Sequence, residues 1–115
     1  MNTTTPADGA VLTQRQLNRS LLARQLLLER STMTTPAALE HLVGMQSQVP
    51  AHPFIGLWSR LAGFETDDLS RMMLDRTAVR TLLMRGTIHL VTADDCLRLR
   101  AVTQGWYERF FPTIA

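Results

Sequence analysis

Apolar residues recur at helical spacing along most of this chain, after a start that shows no period at all. Residues 1–11 are small and polar and are expected to form a flexible tail ahead of one domain spanning 12–115. Thr13, with Gln16 three positions on, has the form of a capping box and opens a helix. Leu17, Leu21 and Leu28 share one face of it, with Ala23 and Leu27 beside them. Leu22 and Leu26 fall on the opposite side, among Arg15, Arg19 and Arg30. A helix that is apolar on two sides is normally sandwiched. The Leu22/Leu26 side therefore needs a partner, either later in this domain or, the favoured expectation, in the remainder of a longer chain.

Thr35-Pro36 predicts a second helix start, because threonine caps and proline suits the first helical position. Leu39, Leu42, Val43 and Gln46 then follow at i, i+3, i+4 and i+7, so Gln46 extends the buried stripe if the helix reaches it. Gly44 is the alternative terminus. Pro50 and Pro53 force an extended turn, and Phe54, Leu57, Trp58 and Leu61 mark the buried face of a third helix closed by Gly63. Thr66 is placed as the cap of a short fourth helix carrying Leu69, Met72 and Met73.

The period changes next. Residues 78–84 and 87–92 are β-prone runs joined by Arg85-Gly86, a two-residue hairpin turn. Thr92 and Asp95 form another capping-box pattern and open a last helix, with Leu99, Val102, Trp106 and Phe110 on one face. Trp58 and Trp106 both read as core. Short helices followed by a hairpin give the order of a winged-helix domain, a helix-turn-helix variant whose hairpin is the wing. The fold class is mainly α with a β-hairpin, and the domain is expected to be the first, incomplete unit of a longer multi-domain protein.

Composition narrows the chemistry. Cys96 is the one cysteine among 115 residues, so no internal disulfide forms, and three scattered histidines give no metal-ligand spacing. Neither a cofactor nor a metal is expected. No apolar run reaches the length of a membrane span and the N-terminus lacks the segments of a signal peptide, which points to the cytoplasm. The net charge is +2, and every basic residue is arginine. That bias follows from a GC-rich genome as readily as from a demand for guanidinium groups; it permits nucleic-acid binding without requiring it.

The segment Met45-Gln46-Ser47-Gln48 sets two carboxamides around one small residue, at the point where an apolar helix meets a proline-broken turn. Each amide offers a carbonyl acceptor and two N–H donors without charge. Such a pair holds water or reads a base edge, but it does not activate a difficult nucleophile; it also serves equally well to satisfy loose backbone groups at a helix end. Together with Leu57-Trp58-Ser59-Arg60-Leu61 and the hairpin Met84-Arg85-Gly86-Thr87-Ile88-His89-Leu90-Val91, the segment resembles the Gln-x-Gln motif of the AlkZ/YcaQ-like winged-helix DNA glycosylases, the helix-turn-helix 42 type. The resemblance covers most of residues 13–115 and the N-terminal portion of a family member. It implies a DNA-repair glycosylase that hydrolyses the N-glycosidic bond of N7-alkylated purines, with unhooking of interstrand crosslinks in some members. It also implies that Gln46 and Gln48 are the catalytic glutamines. The residue between them is usually aliphatic in the family, and here it is Ser47.

Alkylation at N7 makes the purine a good leaving group, so an amide-positioned water suffices where an undamaged nucleotide would stay inert. Candidate contacts to double-stranded DNA, in or near the bacterial nucleoid, are Arg85 at the hairpin tip, Arg80 beside it, Arg60 and His89. Arg60 alternatively pairs with Glu65 or Asp67, and His89 is alternatively a hydrogen-bonded strand residue. His52, between two prolines and near the glutamines in sequence, reads as a turn residue ahead of a water-positioning one. The competing functional reading is a non-catalytic winged-helix regulator, which needs a helix rich in exposed polar groups; residues 53–61 offer Ser59 and Arg60. The segment alone is not expected to be active.

Overall fold

Side-chain hydrogen bonds open four of the five α-helices among the described residues, close to where the sequence places their starts. The computed structural model describes residues 9–112, so most of the expected tail and the last three residues lie outside the described region. Helix α1 (Gln14–Arg24) begins with the full capping box: the Gln16 N–H donates to Thr13 Oγ1 at 3.1 Å and the Thr13 N–H to Gln16 Oε1 at 2.8 Å. Helix α2 (Thr35–Leu42) is capped by Thr34 rather than Thr35, through Ala37 N–H to Thr34 Oγ1 at 3.3 Å. Thr35 instead becomes the first helical residue and is buried. Helix α4 (Thr66–Leu74) likewise starts one residue before expectation, at Glu65, whose N–H bonds the Asp68 carboxylate at 2.9 Å. Two acidic side chains in its first turn suit the positive end of the helix dipole.

Helix α1 stops sooner than its periodicity suggests. Leu26 takes a left-handed conformation at φ 59°, so Leu26, Leu27 and Leu28 leave the helical frame. The expected pairing of Leu22 with Leu26 on one side therefore does not exist. Leu26 packs against the domain's own core, while Leu22, Leu17 and Leu21 remain exposed and no residue of α1 is buried.

Helix α2 ends at Leu42 because Val43 (φ 55°) and Gly44 (φ 90°) turn the chain back, with the Gly44 N–H bonded to Leu39 O at 3.0 Å. Gln46 accordingly does not extend the helical stripe. With Met45 it forms a short strand, β1 (Met45–Gln46), followed by α3 (His52–Arg60). The hairpin strands are β2 (Ala78–Leu82) and β3 (Ile88–Thr92), and the antiparallel sheet runs β1-β3-β2. Two residues are too short for strand alternation to show in the sequence, so the third strand was invisible there. At the hairpin tip Arg85 (φ 55°) and Gly86 (φ 67°) are both left-handed, as a type I′ turn requires, and Thr87 N–H closes on Met84 O at 3.2 Å.

The core forms where α2, α3 and α4 meet the sheet, from Leu39, Leu57, Leu61, Leu69, Met72, Ala78 and Leu90. Each fully buried leucine contributes roughly 2 kcal/mol of apolar transfer. Trp58 stays out of it, 56% exposed, with the Arg30 guanidinium 4.3 Å above its ring. Helix α5 (Ala93–Phe110), capped by Thr92 Oγ1, also docks by another face than expected. Tyr107 is its one buried residue, its hydroxyl donating to Leu83 O, whereas Val102 is 81% and Phe110 57% exposed. Trp106 is half-exposed and lies edge-on to Tyr107, with its far ring edge against the Gly86 turn. The whole is a mainly helical, winged-helix-like domain with a small antiparallel sheet.

Candidate active site

Strand register decides which side chains of the glutamine segment meet. Gln46 faces His89, which faces Thr81, while Met45 faces Leu90, which faces Arg80. Directly opposed residues share a sheet face, so these two rows project to opposite sides. The Met45–Leu90 row is the core side.

The Gln46–His89 row lines an open cleft of about 380 Å³ that also reaches Met45, bounded by β1, the start and end of α3 and the hairpin tip. Its wall carries Gln46, His52, Arg60, Arg85 and His89, and no acidic side chain. Gln46 is exposed, and its carboxamide makes no hydrogen bond to another described residue. Both donor and acceptor atoms are thus free for a water or a ligand. His89 is 3% exposed. Its Nδ1 lies 3.0 Å from Thr87 O, and since a carbonyl only accepts, Nδ1 carries the proton and Nε2 is the acceptor in the neutral ring.

Arg85 reaches the cleft from the turn; it is exposed, and its guanidinium bonds no other described residue. Arg60 is different. Its Nε donates to Gln25 O at 2.8 Å and one terminal nitrogen to Gly56 O at 3.0 Å, so it ties the segment after α1 to α3 rather than pairing with Glu65 or Asp67. Partial burial lowers its pKa from the ordinary arginine value, but a guanidinium stays charged under all ordinary conditions. Its charge therefore still contributes to the field of the cleft. Ser59, the other polar residue of α3 considered for groove reading, turns its hydroxyl back onto Ile55 O at 2.8 Å.

Gln48 and Arg80 do not line the cleft. Gln48 Oε1 accepts the Ile88 N–H at 3.1 Å, replacing a backbone carbonyl where the β1–β3 ladder would continue. Its amide nitrogen keeps two donors. Arg80, on the core side of the sheet, donates from Nε to Ser47 Oγ at 3.0 Å and from a terminal nitrogen to Ser47 O at 2.8 Å. Ser47 is fully buried, and its N–H bonds Ile88 O at 2.8 Å. Sequence reasoning missed this clamp; His52, read as a turn residue ahead of a water-positioning one, stands at the start of α3 on the cleft wall. The partners lie 33 residues apart in the chain for Arg80–Ser47 and 35 for Arg60–Gln25, separations that no local pattern reveals.

A larger depression of about 540 Å³ lies between the 32–36 segment and α4, and it holds none of the candidate residues. Among the described residues, no helix is long and apolar enough to cross a membrane.

Known proteins resemble this chain in sequence and in fold. The family described as "DNA glycosylase AlkZ-like" matches residues 39–110, which include the glutamine segment, α3, α4, the hairpin and α5. Among solved structures, the Streptomyces sahachiroi DNA glycosylase AlkZ superposes with a TM-score of 0.70 at 27% sequence identity. The match covers 84% of this chain and 27% of that one, so the chain spans about a quarter of the length of this relative. No curated protein sequence matches the chain.

Proposed function

The chain belongs to the AlkZ-like DNA glycosylase family, and we propose that it carries the catalytic loop of an enzyme that releases N7-alkylated purines from double-stranded DNA. The bond that breaks is C1′–N9, whose electron pair leaves with the base and cancels the positive charge alkylation placed there. Water adds to C1′, loses one proton and leaves an abasic site. The same reaction at a crosslinked purine would free one strand from the other.

The observation that carries the reading is the unengaged carboxamide of Gln46 on the wall of a cleft that is free of carboxylates. Its carbonyl oxygen accepts from the attacking water and turns a dipole toward the oxocarbenium-like sugar. A weak, uncharged group is adequate because a cationic base departs readily. Gln48, two residues on, is held by its Oε1 on the Ile88 N–H and keeps two amide donors beside this loop. Arg85 at the hairpin tip and Arg60 at the end of α3 supply positive charge for phosphates on either side of the lesion. His89 presents Nε2 as an acceptor beside Gln46.

A regulator that reads sequence with α3 is disfavoured by the same geometry, since Ser59 and Arg60 already bond backbone carbonyls. The test is release of 7-methylguanine from duplex DNA by the full-length protein. The Gln46→Ala/Gln48→Ala double variant should lose release while keeping DNA affinity. Base release that survives both substitutions removes the proposed site, and tight binding to one sequence with no release by the wild type favours the regulator.

A further inference from the structure

We propose that Arg80 is a positioning residue for the catalytic loop, working through Ser47, and not a contact to DNA; this rests on the glycosylase reading above. Ser47 sits between the two glutamines, fully buried, and hydrogen-bonds through all of its polar groups: its N–H to Ile88 O, its hydroxyl to Arg80 Nε and its carbonyl to a terminal Arg80 nitrogen. Arg80 belongs to the edge strand β2 and Ser47 follows β1 on the far edge, so the side chain bridges over the central strand β3. One fork therefore fixes the peptide that joins the two carboxamides, from behind the sheet, while Gln46 faces the cleft in front.

Serine stands here in place of the aliphatic residue that the motif's resemblance leads one to expect. An aliphatic side chain can anchor the loop by packing alone; a buried serine cannot, and its hydroxyl needs a partner in the core. Arg80 is that partner. The guanidinium is suited to the role because its planar fork meets a hydroxyl and a carbonyl at once, each through a charge-assisted bond, at little further loss of side-chain freedom. Lysine, a point donor on a flexible stem, does not reproduce that geometry. The arrangement also explains how Arg80 is held: both named nitrogens point at Ser47, not outward along the hairpin.

The inference separates cleanly from a phosphate contact. Losing one phosphate contact weakens binding to all sequences and lowers the salt slope by about one. Misplacing a catalytic group by an ångström costs about 100-fold in rate and leaves binding in place. The experiment uses the full-length protein, duplex DNA with one 7-methylguanine, single-turnover base release at saturating enzyme, and equilibrium binding across a salt series. For Arg80→Leu we expect affinity and salt slope as in the wild type, with the single-turnover rate lower by about 100-fold. Ser47→Ala, a smaller change that leaves the guanidinium carbonyl bond in place, should lower the rate less. The double variant should be no slower than Arg80→Leu, because the two residues act as one unit.

If Arg80→Leu fails to fold, Ser47→Ala with an unchanged melting curve decides the matter by its rate alone. Weaker binding with a reduced salt slope and an unchanged single-turnover rate overturns the inference, as do rate losses that multiply in the double variant. Both outcomes leave the glycosylase reading standing. A wild-type protein that releases no damaged base removes the parent reading instead, and this one with it.

Discussion

Replacing Gly44 by alanine tests whether the end of α2 sets the position of the glutamine strand. Gly44 lies at φ 90°, beyond the range an L-residue adopts without strain, which costs roughly 1–2 kcal/mol for alanine. A Cβ at this position would also lie 2.7 Å from Leu90 O and overlap the Val91 side chain. Leu90 is on the central strand and is the register partner of Met45, so neither backbone can retreat without weakening the β1–β3 pairing. Losing about one ladder hydrogen bond adds roughly 1 kcal/mol, for a total of roughly 2–3 kcal/mol. In a domain of this size a loss of that order lowers the melting temperature by about 8 °C or more, on the basis of about 4–8 °C per kcal/mol. Gly63→Ala is the matched control, since a Cβ there meets nothing within 4 Å and no positive φ is involved. Urea and thermal unfolding of both variants, followed by circular dichroism, provide the measurement. A Gly44→Ala variant as stable as Gly63→Ala would refute the argument that close approach of the α2–β1 turn to β3 fixes the loop.

Two further predictions concern the hairpin and the helix behind it. Arg85→Asn keeps a type I′ turn, because Asn-Gly is favoured there, but removes the charge at the tip. Stability should be unchanged or up to about 1 kcal/mol higher as left-handed arginine strain is relieved, while the salt dependence of DNA binding falls by about one ion; an unchanged salt slope would remove Arg85 from the interface. Tyr107→Phe leaves Leu83 O without its buried donor and should cost roughly 1–3 kcal/mol in denaturant unfolding. The Tyr107 phenol is pushed above its ordinary value of 10.0 by burial, with nearby Arg100 opposing. A raised acid keeps its proton in the folded state, so its contribution is complete below pH 10.0 and declines as pH rises through the folded value. The wild type should therefore lose stability in alkali faster than Tyr107→Phe, and parallel curves for the two proteins would contradict this.

What the sequence alone determined is short-range. The Thr13–Gln16 capping box, the threonine cap of α5 and the Arg85-Gly86 turn are each contained in four consecutive residues, and they stand where the sequence places them. The family resemblance was legible for a related reason: its motifs are contiguous strings of residues. Only the tertiary structure decided the rest. Periodicity identifies an apolar face but not what meets it, so α1 is left uncovered, Trp58 sits in solvent beneath Arg30, and α5 docks by Tyr107. Leu26 leaves its helix for the core because a left-handed residue ends α1. The division of the candidate arginines was equally invisible. Arg85 reaches the cleft from the hairpin tip and Arg60 from the end of α3, while Arg80 turns behind the sheet because strand pairing assigns its side chain to the face opposite Gln46. Hydrogen-bond partners chosen across such distances follow from how the elements pack, and no local spacing encodes them.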